Sequence, residues 1–174
     1  MNLQKLCSLI IGLLVLVSNA QAEEPAPIDE FLGSWVGVGL KEDVTDYTSG
    51  GVDYALRDLD VSIESAQAGL NITWTTQTVD TGEKKSTSIT LAQTAPGVFV
   101  GTENGDVFNG GSAVWGRIEG QSLIVYVFEV DQKGIYDISR YERRLSLERM
   151  FLYFKRTRDG KTIRSVQGEL VRAQ

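Results

Sequence analysis

The sequence predicts an all-β fold: a closed, antiparallel, up-and-down β-barrel of about 8–10 strands with a short N-terminal helical segment. After residue 33, apolar and polar residues alternate with a period of two, and no window shows a convincing helical repeat. Short turn sequences separate the alternating stretches, which favours pairing between consecutive strands. About ten such strands would leave exposed edges unless the sheet closes on itself, so a barrel is preferred to the alternative, a β-sandwich.

The first segment of the 174-residue chain has the features of a secretory signal. Lys5 supplies a positive charge, residues 6–17 are apolar, and residues 19–22 read Asn-Ala-Gln-Ala, a small-residue cleavage site. We therefore predict that residues 1–22 are removed and that residues 23–174 form a single domain in the periplasm or outside the cell. The apolar run is too short to cross a membrane.

The candidate strands follow one another with little intervening sequence. Residues 26–33 are expected to form a short helix or plug before the first of them. The strands are predicted at residues 34–41, 52–57, 59–65, 70–78, 86–93, 97–102, 112–119, 122–130, 134–144, 147–157 and 162–172. One face of residues 59–79 is polar and the other is bulky and apolar, whereas an outer-membrane barrel needs an apolar outer band. The sequence therefore predicts no membrane span.

Charge is distributed unevenly along the chain. Residues 23–111 contain 15 acidic and 4 basic side chains, net −11, whereas residues 112–174 contain 8 acidic and 12 basic side chains, net +4. The acidic half argues against general nucleic-acid binding, which requires a basic surface. The basic stretch 140–164 has two interpretations. Its strands either lie beside acidic strands and offset their field, or they form a surface that binds an anion or a protein partner.

The residue types exclude much of the usual catalytic chemistry. The sequence has no histidine, and its one cysteine, Cys7, lies in the predicted signal segment. Triads that use histidine and zinc sites built from histidine or thiolate are therefore impossible in the predicted mature chain. Residues 103–111 mildly resemble a calcium-binding loop but lack its regular spacing and its distant bidentate glutamate. We predict no enzyme activity, no metal and no cofactor. The third-ranked hypothesis is an enzyme built on a concave cluster of carboxylates or on a Tyr-Arg pair inside the barrel.

The first strand begins with Gly33-x-Trp35, which resembles the first-strand signature of the lipocalins and the wider calycin superfamily. The resemblance implies a small barrel closed at one end by the tryptophan, which packs against an arginine from a late strand. Residues 153–172 are also similar to the closing hairpin of nitrobindin-like barrels, which hold a haem iron through a histidine. Since this chain has no histidine, that similarity implies the barrel shape without the haem.

The alternation of residues in the late strands suggests two candidates for the arginine. Met150, Leu152 and Phe154 form an apolar row that Arg156 ends, so an inward-facing row would bring Arg156 to the rim of the barrel. The alternative is Arg164 in the last strand. A guanidinium at either position could stack on an indole ring; as the competing interpretation, both arginines are solvated surface residues.

Aromatic residues from several strands indicate either a filled core or a ligand cavity. The predicted lining of the cavity is Trp35, Trp74, Trp115, Tyr126, Phe154, Arg156 and Arg164. Gly37 and Gly39 lie on the same face as Trp35, which favours space inside the barrel. The leading hypothesis is a non-catalytic, lipocalin-like protein that binds a small hydrophobic or amphipathic ligand. The alternative is an envelope inhibitor or protein-docking module that acts through hairpin loops or the basic C-terminal strands.

Overall fold

The computed structural model describes residues 26–46 and 51–174. The predicted signal segment, residues 1–22, lies outside the described residues. Ten strands make up the fold: β1 (Gly33–Asp46), β2 (Gly51–Ala66), β3 (Gly69–Thr78), β4 (Lys84–Ala95), β5 (Val98–Gly101), β6 (Ser112–Glu119), β7 (Ser122–Val130), β8 (Tyr136–Ser146), β9 (Arg149–Arg158) and β10 (Lys161–Arg172). All pair antiparallel with their sequence neighbours, and β10 pairs with β1, which confirms the closed up-and-down barrel.

Two of the predicted strands are joined in a single observed strand, β2. Residues 52–57 and 59–65 were expected to be separate strands, but they form one continuous strand, Gly51–Ala66. Asp58 does not break the alternation, because Arg57 and Leu59 on either side of it both line the barrel interior. The strand pairs with β1 through Asp58, which lies opposite Val38. Asp58 shares the outer face with Asp60, Ser62 and Glu64, so the alternation continues through it without a break.

One end of the barrel, the closed end, is filled by apolar side chains. A 3₁₀ turn, Ile28–Glu30, precedes β1, and the Ala26 amide donates a hydrogen bond to the Gly120 carbonyl at 2.8 Å. This bond ties the N-terminal segment to the β6–β7 turn. The fully buried residues of the closed end include Phe31, Trp35, Ile63, Leu70, Leu91, Phe99, Leu123, Met150 and Leu170. The Trp35 indole donates a hydrogen bond to the Phe31 carbonyl at 3.1 Å, so its one polar atom is satisfied in the core.

The glycines of β1 allow close contact between strands. A Cβ atom at Gly37 would lie 2.0 Å from the Glu169 carbonyl oxygen of β10, so no larger residue fits without moving the backbone. Gly39 lies opposite Gly168, and the Leu59 side chain occupies the space beside this pair. The expectation that Gly37 and Gly39 leave room for a ligand is therefore wrong. They allow β1 and β10 to approach closely, and Leu59 fills the remaining space.

Candidate functional site

The opposite end of the barrel, the open end, contains a cavity of about 330 Å³. This volume falls in the lower part of the range of small-molecule sites, about 300–1,000 Å³. Its apolar lining consists of Leu59, Val61, Trp74, Tyr141, Leu152, Phe154 and Val166. Its polar and charged lining consists of Lys41, Arg57, Thr75, Thr76, Glu83, Lys85, Thr87, Ser139, Arg143, Arg156 and Arg164. The wall therefore combines an apolar part with a larger set of polar and charged groups, and converging polar groups beside an apolar surface can orient a ligand.

The inward-facing residues of β8 define the depth of the cavity. Asp137 lies at the open end, and Ser139, Tyr141 and Arg143 follow at alternate positions along the strand. The next inward residue, Leu145, belongs to the buried core. Arg143 is therefore one inward position from the closed-end core, at the floor of the cavity, because residues two apart on a strand lie on the same face.

Three aromatic rings form one cluster on the cavity wall. The ring centroids of Trp74 and Tyr141 are 4.7 Å apart, and those of Tyr141 and Phe154 are 4.8 Å apart. Both pairs are tilted, an arrangement that aromatic side chains prefer over face-to-face stacking. Burial raises the pKa of Tyr141, against the opposing charges of Arg143 and Arg156. The cluster offers an apolar surface built from rigid rings.

Arg143 is the most unusual residue of the cavity, since it is only 1% exposed. Its Nε and Nη2 atoms are buried and have no hydrogen-bond partner among the described residues, and no described carboxylate forms an ion pair with it. Its guanidinium carbon lies 5.3 Å from the Trp74 ring centroid and 5.8 Å from that of Tyr141. Burial lowers the pKa of Arg143 to about 10, although Tyr141 acts in the opposite direction. The side chain is thus still a cation at neutral pH.

Two ion clusters surround the mouth of the cavity. Asp137 accepts hydrogen bonds from Arg158 at 2.9 and 2.8 Å and from Arg156 at 2.5 Å. The bonds from Arg158 lower the pKa of Asp137, burial opposes them, and Arg156 adds to the lowering. Asp43 pairs with Lys41 on its own strand and with Arg164 across the β1–β10 interface. Burial alone would raise the pKa of Asp43, but the two cations outweigh it and the pKa is lowered.

The cavity has an excess of positive charge. Six of its lining residues are basic: Lys41, Arg57, Lys85, Arg143, Arg156 and Arg164. Glu83 lines the cavity, and Asp43, Asp137 and Glu129 pair with lining cations, so the charges sum to 6 − 4 = +2. The Nε atoms of Arg57 and Arg156 are also buried without a hydrogen-bond partner among the described residues. An excess of positive charge in a concave, partly apolar site attracts anions.

The structure brings together four of the seven residues predicted to line the cavity: Trp74, Phe154, Arg156 and Arg164. Trp35 lies in the closed-end core instead. Trp115 and Tyr126 stack on the outer surface, with centroids 5.2 Å apart, and Trp115 is 40% exposed. Their prediction as lining residues is wrong because the inward positions of β6 are Val114, Gly116 and Ile118, which places Trp115 on the opposite face.

An arginine does pack on the first-strand tryptophan, but it is Arg172. Its guanidinium carbon lies 4.3 Å from the Trp35 ring centroid, and it donates hydrogen bonds to the Leu32 and Glu30 carbonyls at 2.6 and 2.9 Å. The expectation that Arg156 or Arg164 fills this role is wrong. The start of β1 lies beside the end of β10, so that Trp35 pairs with Arg172, whereas Arg164 is at the open end.

Sequence reasoning missed two further residues of the site, Tyr141 and Arg143. Both lie within the basic stretch 140–164, and they share the alternation of the buried Leu145. The alternation with Leu145 could have indicated that both residues face inward, but consecutive arginines at 143 and 144 are typical of a solvated surface. The other cations of the stretch are largely paired with acidic side chains: Arg140 with Glu142, Arg149 with Glu169, and the arginines of the two mouth clusters.

The polar residues of the loop between β5 and β6 hold the loop together. Asp106 accepts hydrogen bonds from the Phe108 amide at 2.9 Å and from the Asn109 side chain at 2.6 Å. Asn104 forms two bonds with the backbone of Val114, at 2.7 and 3.1 Å. The side chains that mildly resembled a calcium-binding loop therefore act as turn and capping groups.

Comparison with known proteins supports the fold. No protein-family model matches this chain, and no curated protein matches it significantly. The solved structure of Rv2717c from M. tuberculosis is similar, with a TM-score of 0.50 and 15% sequence identity. The alignment covers 87% of this chain and 100% of that chain. Over residues 26–46 and 51–174 there is no helix long and apolar enough to cross a membrane. At this level of identity the similarity establishes a shared barrel fold.

Proposed function

We propose that this protein is a non-catalytic barrel that binds a small hydrophobic or amphipathic ligand in its open-end cavity. The observation that carries the proposal is the wall itself, where the cluster of Trp74, Tyr141 and Phe154 lies beside converging polar groups in a space of about 330 Å³. The closed end supplies a packed core, so the open end does not need to be filled for the fold to be stable.

Two further features support the details of this proposal. The pair formed by Trp35 and Arg172 matches what the calycin resemblance implies for the closed end of the barrel. The sequence of residues 1–22 supports export to the periplasm or beyond it. The non-catalytic role is favoured because Asp43 and Asp137, two carboxylates at the cavity mouth, are held in ion pairs with arginine.

The three tryptophans provide a direct test. Trp74 lines the cavity, Trp35 is in the core and Trp115 is on the outer surface. Aliphatic and aromatic amphiphiles are titrated into the protein while tryptophan emission is recorded. We expect a saturable change that is lost in Trp74→Phe and retained in Trp115→Phe, the matched control. If emission stays constant with all compounds and native mass spectrometry detects no complex, the proposal is refuted.

The alternative function, docking of an envelope protein through the basic C-terminal strands, has less support. Most arginines of these strands are engaged by acidic neighbours, and Arg143 points into the barrel. Paired charges offer less attraction to an acidic partner than an unpaired basic surface would.

A further inference from the structure

We infer that Arg143 binds an oxyanion of the ligand, a carboxylate, at the floor of the cavity. The inference rests on the proposed function, and it names the chemical class of the ligand: a compact carboxylate with an apolar or aromatic body. The remaining lining cations strengthen the positive field, but Arg143 is the group placed to contact the anion directly.

The unpaired atoms of Arg143 have the geometry that a carboxylate requires. Nε and Nη2 lie along the same edge of the planar guanidinium, and both are buried without a hydrogen-bond partner among the described residues. The two N–H groups of that edge point in parallel directions and match the two oxygens of a carboxylate in a bidentate contact. A single hydroxyl or carbonyl oxygen would have to accept both bonds at once, in a less favourable geometry and without a negative charge.

The surroundings of Arg143 argue against a purely structural role. In the sheet its neighbours are Leu123 on β7 and Leu152 on β9, both buried, and Leu145 follows it on the inner face of β8. None of these supplies an acceptor. Trp74 and Tyr141 flank the guanidinium at more than 5 Å, which stabilises the cation only partly. A buried charge without a partner is costly to the fold, so its position is best explained by an anionic ligand.

The position of the charge also determines the orientation of the ligand. Arg143 is at the floor, and the cluster of Trp74, Tyr141 and Phe154 lies on the wall beside and above it. A ligand would therefore enter with its carboxylate first and place its apolar body against the rings. At the mouth, the guanidiniums of Arg156 and Arg164 already have the carboxylates of Asp137 and Asp43 as partners. Because they are already paired, these two arginines are less available to bind the anion than Arg143 is.

The experiment uses two matched pairs of probes, decanoate with decanol and 2-naphthoate with 2-naphthalenemethanol. Dissociation constants are measured by calorimetry at pH 7, where both acids are ionised, with protein expressed from the whole sequence. We expect the acid of at least one pair to bind about 10- to 100-fold more tightly than its alcohol, as charge-assisted hydrogen bonds would give. This preference should disappear in Arg143→Met while binding of the alcohol remains.

Two variants make the result specific. Arg144→Met is the matched control, because Arg144 is the next residue on the same strand but is exposed and donates a hydrogen bond to Tyr153. It should keep the preference for the acid. Arg143→Gln provides a second test should Arg143→Met fail to fold. Equal binding of acid and alcohol to the wild type, or an undiminished preference in both Arg143 variants, would overturn the inference and leave the proposed function standing. If no probe binds, the proposed function fails together with the inference.

Discussion

Replacing Arg143 with methionine should make the ligand-free protein more stable. Methionine has a similar length and carries no charge, so Arg143→Met removes the desolvation penalty and retains most of the packing. The pKa of Arg143 is lowered from 12.5 to about 10, mainly by burial. At about 1.4 kcal/mol for each pKa unit, this shift corresponds to a penalty of about 3 kcal/mol on the charged folded state. Loss of the contacts with Trp74 and Tyr141 would offset about 0.5–2 kcal/mol of the gain.

The net expectation is an increase of about 1–3 kcal/mol in the free energy of unfolding, which raises the melting temperature by about 2–4 °C per kcal/mol in a domain of this size. The pH dependence has a definite sign. Because the folded pKa is below the unfolded value, the penalty is fully present below pH 10 and declines as the pH rises above it. The advantage of the variant should therefore be largest near pH 7 and should shrink above about pH 10.

Urea denaturation of ligand-free wild type and Arg143→Met, followed by far-UV circular dichroism, measures this difference. Arg144→Met serves as the control and should change the stability by less than about 0.5 kcal/mol, as surface substitutions usually do. A loss of more than about 1 kcal/mol in Arg143→Met would refute the reasoning, because it would mean that the fold already satisfies the guanidinium. Saturation with a carboxylate ligand should reverse the order, since only the wild type gains binding energy from the anion.

Three further predictions concern the frame of the barrel. Trp35→Ala should lower the free energy of unfolding by about 3–5 kcal/mol, since this side chain is 1% exposed. Gly37→Ala should lower the free energy of unfolding by about 1–3 kcal/mol, because the added methyl group would lie 2.0 Å from a carbonyl oxygen of β10. Gly82→Ala is the comparison: a Cβ there would meet no described atom within 4 Å, so the loss should be smaller despite the positive φ. Denaturant unfolding checks both, and equal costs for the two glycines would contradict the close approach of β1 and β10. Asp137→Asn should cost about 1–3 kcal/mol at pH 7 by weakening its bonds with Arg156 and Arg158. Because the pKa of Asp137 is lowered, this difference should shrink as the pH falls below about 4, and a constant difference down to pH 2 would disprove the ionic contribution.

The barrel could be predicted from the sequence because alternation is a local property. Once each strand has one apolar face and the turns are short, closure of the sheet follows from the need to bury those faces and protect the edges. The same local rule explains the merger in β2, because Asp58 continues the outer polar face between the ranges 52–57 and 59–65. Alternation indicates which residues share a face of the sheet, but it does not determine where a strand ends.

The errors in the candidate site concern which end of a strand a residue occupies and which face of the sheet it lies on. Arg164 and Arg172 have the same parity on β10, so alternation allows either to face the interior, but Arg164 lies at the end of the strand far from Trp35. Antiparallel pairing of the first and last strands requires the end of β10 to lie beside the start of β1. Trp115 was misplaced because its own strand contains inward residues on both sides of it, and an aromatic residue on an outer face satisfies the pattern equally well.

The two ends of the barrel differ in how far their polar side-chain atoms are satisfied. At the closed end, Trp35 is packed, hydrogen-bonded and covered by Arg172, and each polar atom named there has a partner. At the open end, guanidinium nitrogens of Arg57, Arg143 and Arg156 are buried and have no partner among the residues that the structure describes. Unsatisfied polar groups in a native fold require an explanation, and a group that the fold does not need is a candidate for function. Because the closed end contributes packing energy independently of the cavity, the barrel can tolerate the cost of Arg143, and the proposed anionic ligand would offset that cost.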